Sequence, residues 1–325
     1  MEATVGTSQS IWVCGEALID LIPDRNDPTA PKTPVVGGGP ANTAAALAKL
    51  GYQAQFINGI STSDQYGEMI KAELLSHNVD LSLAHFTDKP TCTADVSLDS
   101  QGSASYIFTF DGTATFDYSR DWLPKVADHN PALLHIGTLV TIIEPAASLL
   151  LEWSREIGKE IPVLLDPNIR PSVISDVKRY QELIDRWIEV ASIVKVSNDD
   201  IEWLYPEKSE NEVISEWLSR GCKAVIITRG ADGISAYTPA LAVKVPGVKI
   251  TVADTVGAGD TVGAIIAEAI FNKSWSFADD GSLNASEEVI SQTLRRAAVA
   301  AGITCSRKGA NPPNSAEIEE ALAKL

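Results

Sequence analysis

Basic residues are scarce in this chain. Its 325 residues include 26 lysines and arginines against 43 aspartates and glutamates, which gives a formal net charge of −17 at pH 7. Proteins that bind nucleic acids or anionic membranes need basic patches, because much of their affinity comes from contacts with phosphate groups. The composition therefore argues against a nucleic-acid or membrane partner, and small molecules are the expected ligands.

Cysteine is also rare, and long apolar runs are missing. Cys14, Cys92, Cys222 and Cys305 are widely scattered and include no Cys-x-x-Cys pair, which favours neither a zinc site nor a disulfide framework. No apolar run reaches the length of a transmembrane helix. Residues 1–10 are polar and lack the pattern of a secretory signal, so we expect a disordered leader. These features predict a cytoplasmic protein.

Alternating strand and helix patterns fill most of the chain and predict its fold class. Short runs rich in β-branched residues end near positions 137, 166, 197 and 228, and each precedes a segment of helical length. Repeated βα units form a mainly parallel sheet with helices on both faces, and their ligands bind at the carboxyl ends of the strands. The sequence therefore predicts one α/β domain over residues 10–325.

The most informative motif is Asp254-Thr-Val-Gly-Ala-Gly-Asp260, which lies between a β-branched run at 242–252 and an apolar run at 261–271. This arrangement predicts a strand, a glycine turn and a buried helix. The first turn of a helix has unpaired N–H groups and partial positive charge, and glycines let a ligand approach them. The turn would therefore form an anion cradle suited to phosphoryl transfer, made by the amides of Gly257, Ala258, Gly259 and Asp260.

Asp260 is the carboxylate inside this cradle. A negative charge there would repel phosphate, so Asp260 makes chemical sense as a base that takes the proton of an attacking hydroxyl. The alternative is that Asp260 only caps the helix and that the glycines only form a tight turn. The Gly-x-Gly-Asp spacing by itself leaves these two interpretations about even.

A second glycine-rich stretch, Gly37-Gly-Gly-Pro-Ala-Asn42, precedes an alanine-rich helix. Gly38 and Gly39 would let a ligand approach the backbone, and Asn42 offers both a donor and an acceptor to a hydroxyl. A flexible turn with a polar residue at the helix start is the alternative. Asp20 has apolar neighbours, and it is either a surface residue of an alternating strand or a ligand contact.

These two motifs resemble those of the ribokinase-type (PfkB) carbohydrate kinases. Gly-Glu-Ala-Leu-Ile-Asp at 15–20 is most similar to the fructokinase branch, and Asp-Pro-Asn-Ile-Arg at 166–170 resembles both fructokinases and 2-keto-3-deoxygluconate kinases. The resemblance covers about residues 11–315. It implies a ribokinase-like fold and ATP-dependent phosphorylation of a sugar's primary hydroxyl, with fructose as the expected sugar. The alternatives are a 2-keto-3-deoxygluconate kinase, ribokinase or nucleoside kinase of the same family, or a catalytically silent sugar- or nucleotide-binding regulator.

The resemblance also implies roles for individual residues. Asp260 would be the catalytic base, the amides of the 257–260 turn the anion hole, and Arg170 a forked cation that neutralises phosphate charge. The candidates for sugar binding are Asp20, Gly38, Gly39, Asn42 and Asn168. The candidates for nucleotide binding are Lys195, Thr228, Gly230, Gly233 and Gly309. Asp200 would be an outer-shell partner of Mg²⁺, and the backbone near Asp254 and 306–310 would hold a monovalent cation such as K⁺.

Residues 17–36 and 90–116 are expected to form a small β-sheet, with a hairpin turn at Asp99-Ser-Gln-Gly102. In the resembling family such a sheet is a lid, whose closure over the sugar would exclude water. An ordinary hairpin on the main sheet is the alternative. The sequence leaves the oligomeric state open, with a homodimer as one arrangement.

Three residues, Thr62, Ser63 and Asp111, depart from the family's pattern. Thr62 and Ser63 stand where a Gly and an Asp are expected, although Asp64 and Gly67 fit the pattern. We therefore expect the 61–67 turn to be structural.

Overall fold

The computed structural model of the protein describes residues 9–24, 27, 29–98, 104–278 and 281–325. In these ranges the strands are β1 Ser10–Cys14, β2 Leu18–Ile22, β3 Thr33–Gly37, β4 Ala54–Ile57, β5 Gly59–Ser61, β6 His85–Thr87, β7 Thr93–Leu98, β8 Ala104–Thr109, β9 Pro131–Gly137, β10 Val163–Asp166, β11 Ile193–Ser197, β12 Ala224–Thr228, β13 Ile234–Tyr237, β14 Ala242–Val245, β15 Ser276–Phe277 and β16 Leu283–Asn284. The helices are α1 Gly39–Lys49, α2 Gln65–Ser76, α3 Val126–His129, α4 Ala146–Ile157, α5 Val177–Ile188, α6 Asn198–Leu204, α7 Glu210–Ser219, α8 Ala258–Phe271, α9 Glu287–Cys305 and α10 Ser315–Leu322.

Eight strands form the central sheet, in the order β14-β13-β12-β11-β10-β9-β1-β4. The strands from β12 to β4 pair in parallel, whereas β13 and β14 add an antiparallel edge. One hydrophobic cluster packs α1, α8 and α9 on one face, and a second packs α4, α5 and α7 on the other. The predicted fold class, a mainly parallel sheet covered by helices on both faces, is confirmed.

A second sheet has four strands in the order β3-β2-β7-β8. Its strands come from the two stretches that the sequence analysis assigns to a small sheet, and β2 begins shortly after β1 ends. β2 and β7 pair in parallel, and β7 and β8 pair antiparallel along their whole lengths. The small sheet therefore starts at the carboxyl end of a central strand, where ligands are expected.

Two sequence expectations concern residues at or beyond the described ranges. The hairpin turn at Asp99-Ser-Gln-Gly102 lies outside the described residues, as do residues 1–8 of the expected leader. Ser10, the last residue of that leader, already belongs to β1 and is buried. Within the described part of the chain, no helix is long and apolar enough to cross a membrane.

The sequence predicts strand structure over 242–252, but β14 ends at Val245, so the prediction is wrong for residues 246–252. Pro246 has no N–H to contribute to a strand ladder. Gly247 lies so close to the preceding turn that a Cβ atom there would stand 2.2 Å from the carbonyl oxygen of Ala231. The chain therefore leaves the sheet, and residues 246–257 form a loop that leads to α8. The signature at 254–260 follows this loop and not a strand.

The 61–67 turn is a structural junction, as expected from its departures. Asp64 caps α2 by accepting a hydrogen bond from the backbone N–H of Gly67 at 2.8 Å. The same carboxylate accepts two hydrogen bonds of 2.7 Å from Thr91, one from its N–H and one from its hydroxyl. Asp64 thus ties the start of α2 to the segment that enters β7.

We expect Asp64→Ala to lower the free energy of unfolding by about 2–3 kcal/mol, because it removes a helix cap and two further bonds to a carboxylate. Equilibrium urea denaturation measures the difference. The exposed Asp88 provides the control, and Asp88→Ala should stay within about 0.5 kcal/mol of the parent. Equal losses of stability in Asp64→Ala and Asp88→Ala would contradict the structural role of Asp64.

The effect of Asp64→Ala should depend on pH. Burial opposes ionisation of Asp64, but the hydrogen bonds from Thr91 and Gly67 outweigh it and lower its pKa. The stabilisation is therefore present at neutral pH and is lost as the pH falls through the lowered pKa. The difference between the parent and Asp64→Ala should shrink in acid.

Candidate active site

A cavity of about 610 Å³ lies between the central sheet, the small sheet and the start of α8. Strands β2, β3, β7 and β8 contribute one wall, which includes Leu18, Val36, Val96 and Phe108. The cavity also gathers most of the residues that the sequence analysis singles out, namely Asp20, Gly38, Gly39, Asn42, Asn168, Arg170, Lys195, Asp254, Gly257, Gly259, Asp260 and Gly309. The predicted sugar-binding and catalytic residues therefore share one site.

Neighbouring strands explain this convergence. Glu16 follows β1, Thr138 follows β9, Asn168 follows β10, and Lys195 lies near the end of β11. These four strands are consecutive in the sheet and parallel. Because the carboxyl ends of parallel strands meet at one edge, residues far apart in sequence come together there.

The glycine turn before α8 has the geometry of an anion cradle. Gly257 is the residue before the helix, with the left-handed φ of 80° that favours glycine. α8 starts at Ala258, so the amides of its first turn lack intrahelical partners, and the N–H of Ala258 donates to the carbonyl oxygen of Thr255 at 3.3 Å. Asp260 is the third residue of α8, and the N-cap position belongs to Gly257. Asp260 is therefore not the N-cap residue of this helix.

Asp260 is instead held by the second glycine motif. Its Oδ2 accepts a hydrogen bond of 2.8 Å from Nδ2 of Asn42, the predicted sugar-binding amide. Asp260 is only 8% exposed. Burial raises the pKa of Asp260 to about 6, and the charge of Lys195 limits that rise. The carboxylate is therefore ionised at neutral pH but is more basic than an exposed aspartate.

A buried ion pair lies beneath the cradle. Lys195 Nζ is 2.7 Å from Oδ2 of Asp166, and these side chains are only 6% and 4% exposed. The same ammonium group would be 2.9 Å from a Cβ atom at Gly259. Burial alone lowers the pKa of Lys195, but Asp166 and then Asp260 outweigh it and raise the pKa above its usual value. A fixed positive charge therefore lies against the anion cradle.

Three polar side chains converge at Gly39. A Cβ atom on this glycine would be 2.9 Å from Nδ2 of Asn168, 3.1 Å from Oδ1 of Asp260 and 3.2 Å from Oγ1 of Thr138. Asn168 has the left-handed φ of 42°, and its Oδ1 accepts a hydrogen bond of 2.7 Å from Arg170. The absence of a side chain at Gly39 leaves room for these groups to meet at one point.

Asp20 belongs to the small-sheet wall of the cavity. Its Oδ2 occupies space that a side chain at Gly37 would fill, because a Cβ atom there would stand only 2.4 Å away. Burial raises the pKa of Asp20 to about 6, and Arg170 opposes the rise. The apolar context of Asp20 in the sequence reflects this inward position and not an outer strand face.

Sequence reasoning missed two residues of the site, Glu16 and Thr138. Glu16 is 1% exposed, and its Oε2 accepts a hydrogen bond of 3.1 Å from the N–H of Leu139. Burial raises the pKa of Glu16 to about 8, with Arg170 opposing. Its charged side chain among apolar neighbours gives the same sequence signal as Asp20. Thr138 gives no such signal, because threonine is ordinary after a strand.

The structure does not bring Thr228, Gly230 and Gly233 into the lining of this cavity. Thr228 ends β12 and pairs in register with Ser197, so it lies farther along the same sheet edge. Gly233 has a packing reason for its identity, because a Cβ atom there would be 2.1 Å from the carbonyl oxygen of Val245. A nucleotide-binding role for these three residues stays a prediction.

Asp200 and Asp254 are both tied to the backbone. Ser197 and Asp200 form a reciprocal capping box at the start of α6. Burial raises the pKa of Asp200, with a smaller contribution from Asp166. Asp254 accepts hydrogen bonds from the N–H groups of Val256 at 3.1 Å and Gly309 at 3.0 Å. Among the described residues, no group of three or more His, Cys, Asp or Glu residues could hold a metal ion.

Known proteins resemble this chain along most of its length. The family model described as pfkB family carbohydrate kinase matches residues 8–317. A fructokinase from Rhizobium leguminosarum bv. trifolii is 39% identical over 259 residues, which cover 78% of this chain and 77% of that protein.

Two solved structures share the fold at lower sequence identity. A fructokinase from Xylella fastidiosa with bound ATP has a TM-score of 0.84 and 23% identity, over 97% of this chain and 98% of that one. A fructokinase double mutant from Vibrio cholerae O395 in a fructose-, ADP- and potassium-bound form has a TM-score of 0.80 and 24% identity, over 97% and 99%. With the match of the family model along almost the whole chain, these findings show that this protein belongs to the pfkB family of carbohydrate kinases.

Proposed function

We propose that this protein is an ATP-dependent fructokinase, which transfers the γ-phosphoryl group of ATP to the primary hydroxyl of fructose and yields fructose 6-phosphate and ADP. One observation carries the proposal: Asp260 meets the anion cradle of α8 on one side and Asn42 on the other. This arrangement supports a base that lies between a site for phosphate and a site for a hydroxyl. The 39% identical fructokinase supports fructose as the sugar.

Asp260 acts as the general base. Its carboxylate accepts the proton of the sugar hydroxyl as the new O–P bond forms and the bond between the γ-phosphorus and ADP breaks. The hydrogen bond from Asn42 fixes one oxygen of Asp260, which leaves Oδ1 near the convergence point at Gly39. The pKa of about 6 suits this task, because the base is ionised at neutral pH.

Negative charge on the transferring group is stabilised by fixed dipoles and two cations. The amides of Gly257, Ala258, Gly259 and Asp260 form the anion hole. Lys195 adds a positive charge behind Gly259, and Arg170 adds another from the end of β10. Because these groups are held by the fold before ATP arrives, little reorganisation is needed during the reaction.

Mg²⁺ fits this site as an ion that arrives with ATP. The described residues contain no cluster of three metal-ligating side chains, and Mg²⁺ in kinases is held largely by phosphate oxygens and water. Asp200 is the outer-shell partner, since it lies close enough to Lys195 to raise the pKa of that ammonium group, while Asp166 raises the pKa of Asp200. Bound Mg²⁺ would neutralise phosphate charge and polarise the γ-phosphoryl group.

The loop at 306–310 and Asp254 form the proposed monovalent-cation site, for which K⁺ is the expected ion. The hydrogen bond from Gly309 to Asp254 joins the two segments beside the glycine turn. The potassium ion in the Vibrio cholerae fructokinase supports this choice. Gly309 and Lys195 contact the nucleotide in this proposal, with Thr228, Gly230 and Gly233 farther along the edge.

The small sheet is the proposed lid, formed by about residues 17–36 and 90–116 of a kinase domain that spans 10–325. It already supplies the wall with Asp20, Val36, Val96 and Phe108. Its closure would exclude water and limit hydrolysis of ATP. We also place the protein in the reducing cytoplasm, in keeping with its four free cysteines.

The charges of the cavity favour a neutral sugar. Among the described residues that line it, the cations are Arg170 and Lys195. Lys195 is paired with Asp166, and Arg170 donates to Asn168. An acid sugar such as 2-keto-3-deoxygluconate would place its carboxylate near Asp20 without a further cation, which disfavours it electrostatically.

A substrate panel tests the proposed function. ADP release should be measured with ATP, Mg²⁺ and K⁺ against fructose, 2-keto-3-deoxygluconate, ribose, glucose and adenosine. We expect turnover above the no-sugar control with fructose and the highest kcat/KM for that sugar. Sugar binding without any ADP release would instead support a silent sugar-binding regulator.

Asp260→Asn should lower kcat by at least about 100-fold, because loss of a general base typically costs 10² to 10⁴ in rate. Steady-state kinetics with saturating fructose and ATP measure the loss. Asp199 is exposed, so Asp199→Asn is the matched control and should keep the parent's kcat. A retained kcat above about a tenth of the parent's value would exclude Asp260 as the base.

The acid side of the pH profile should report the same base. Since burial raises the pKa of Asp260 to about 6, kcat/KM for fructose should fall as the pH drops below about 6 and the base becomes protonated. The profile is measured at saturating Mg-ATP at each pH. A flat profile down to pH 5 would contradict this assignment.

A further inference from the structure

Thr138 has a strained backbone in the wall of the cavity. Its φ is +60°, and for a β-branched residue such a value is a genuine outlier. Strained residues of this kind persist only where surrounding contacts hold them, and they occur often at functional sites. The strained backbone therefore makes Thr138 a candidate for a functional role.

Two hydrogen bonds hold the turn that contains Thr138. The N–H of Leu139 donates to Oε2 of the buried Glu16 at 3.1 Å. The hydroxyl of Thr141 donates to the carbonyl oxygen of Thr138 at 2.6 Å. Glu16 and Thr141 are themselves 1% and 0% exposed. The left-handed conformation is thus fixed from within the protein, without a ligand.

In this conformation the Thr138 hydroxyl lies close to the side chains of Asn168 and Asp260. Its Oγ1 accepts a hydrogen bond of 3.3 Å from Nδ2 of Asn168. It also lies 3.2 Å from the Cβ position of Gly39, and Oδ1 of Asp260 lies 3.1 Å from that same point. A hydroxyl that accepts one hydrogen bond still has its own O–H to donate.

We propose that Thr138 is a further sugar-binding residue, whose hydroxyl donates to a sugar oxygen beside the hydroxyl that attacks ATP. Glu16 is a positioning residue in this arrangement, because it acts through the N–H of Leu139. The proposal deepens the proposed function and rests on it. The left-handed backbone places the threonine hydroxyl and the Asn168 amide side by side, as a pair that fixes the sugar against Asp260.

Two substitutions separate sugar binding from a purely structural role. Thr138→Val removes the hydroxyl and keeps the size and the branched Cβ, whereas Thr138→Ser keeps the hydroxyl and removes a methyl group. Thr293→Val is the matched control, since Thr293 is a buried threonine with hydrogen bonds to Trp275 and Val289, away from this cavity. Steady-state kinetics for fructose and for ATP, together with thermal unfolding, are measured for all three variants.

We expect Thr138→Val to lower kcat/KM for fructose by about tenfold, with the KM for ATP unchanged. Thr138→Ser should stay within about threefold of the parent, and Thr293→Val should alter only the thermal unfolding. Parent-like kinetics of Thr138→Val would overturn the inference, and so would a loss in Thr138→Ser as large as that in Thr138→Val.

The parent enzyme separates this inference from the function on which it rests. A parent that phosphorylates no sugar overturns the proposed function, and the role of Thr138 falls with it. A parent that phosphorylates fructose while Thr138→Val matches it overturns only the role of Thr138. A selective loss in the valine variant supports both.

Discussion

The buried ion pair between Lys195 and Asp166 is the constraint on which this site depends. Both side chains are almost fully removed from water and are 2.7 Å apart, and breaking such a pair by removing one partner typically costs about 3–5 kcal/mol. The pair joins Asp166, the last residue of β10, to Lys195 in β11, next to the first turn of α8. It therefore fixes the distance between the anion cradle and the sheet.

The same pair explains the glycine at position 259. The ammonium group of Lys195 occupies the space of a side chain there, at 2.9 Å from the Cβ position. A larger residue would displace the ammonium group from the turn and weaken the field at the cradle. The contact therefore favours glycine at position 259 and keeps a positive charge beside the turn that phosphate would approach.

Much of this arrangement could be predicted from the sequence, because its signals are local. The βα alternation gives the parallel sheet, and the glycines before α1 and α8 mark turns that a ligand can approach. The course of residues 246–257 could not be predicted, since β-branched residues after Val245 resemble a strand. Only the contact of Gly247 with Ala231 shows why the chain turns away there.

The missed residues are those whose role depends on tertiary structure. Nothing local distinguishes Thr138 from a threonine at any strand end, because the turn with its positive φ is held by Glu16 from another strand end as well as by Thr141 within the turn. Asp260 shows the opposite case. Its motif predicts either a cap or a base, and the hydrogen bond from Asn42, more than 200 residues earlier in the chain, ties it to the second glycine motif.

Burial also reduces the electrostatic repulsion between the acidic cavity and an anionic nucleotide. It is the largest cause of the raised pKa values of three carboxyl groups in the cavity. It raises the pKa of Glu16 to about 8 and the pKa values of Asp20 and Asp260 to about 6. Glu16 is therefore largely neutral at pH 7, and the cavity carries less negative charge than its carboxyl groups suggest. Approaching phosphate would raise these pKa values further. In the proposed reaction Asp260 loses its charge when it accepts the hydroxyl proton, so proton transfer removes the repulsion between the base and the incoming phosphoryl group in the same step.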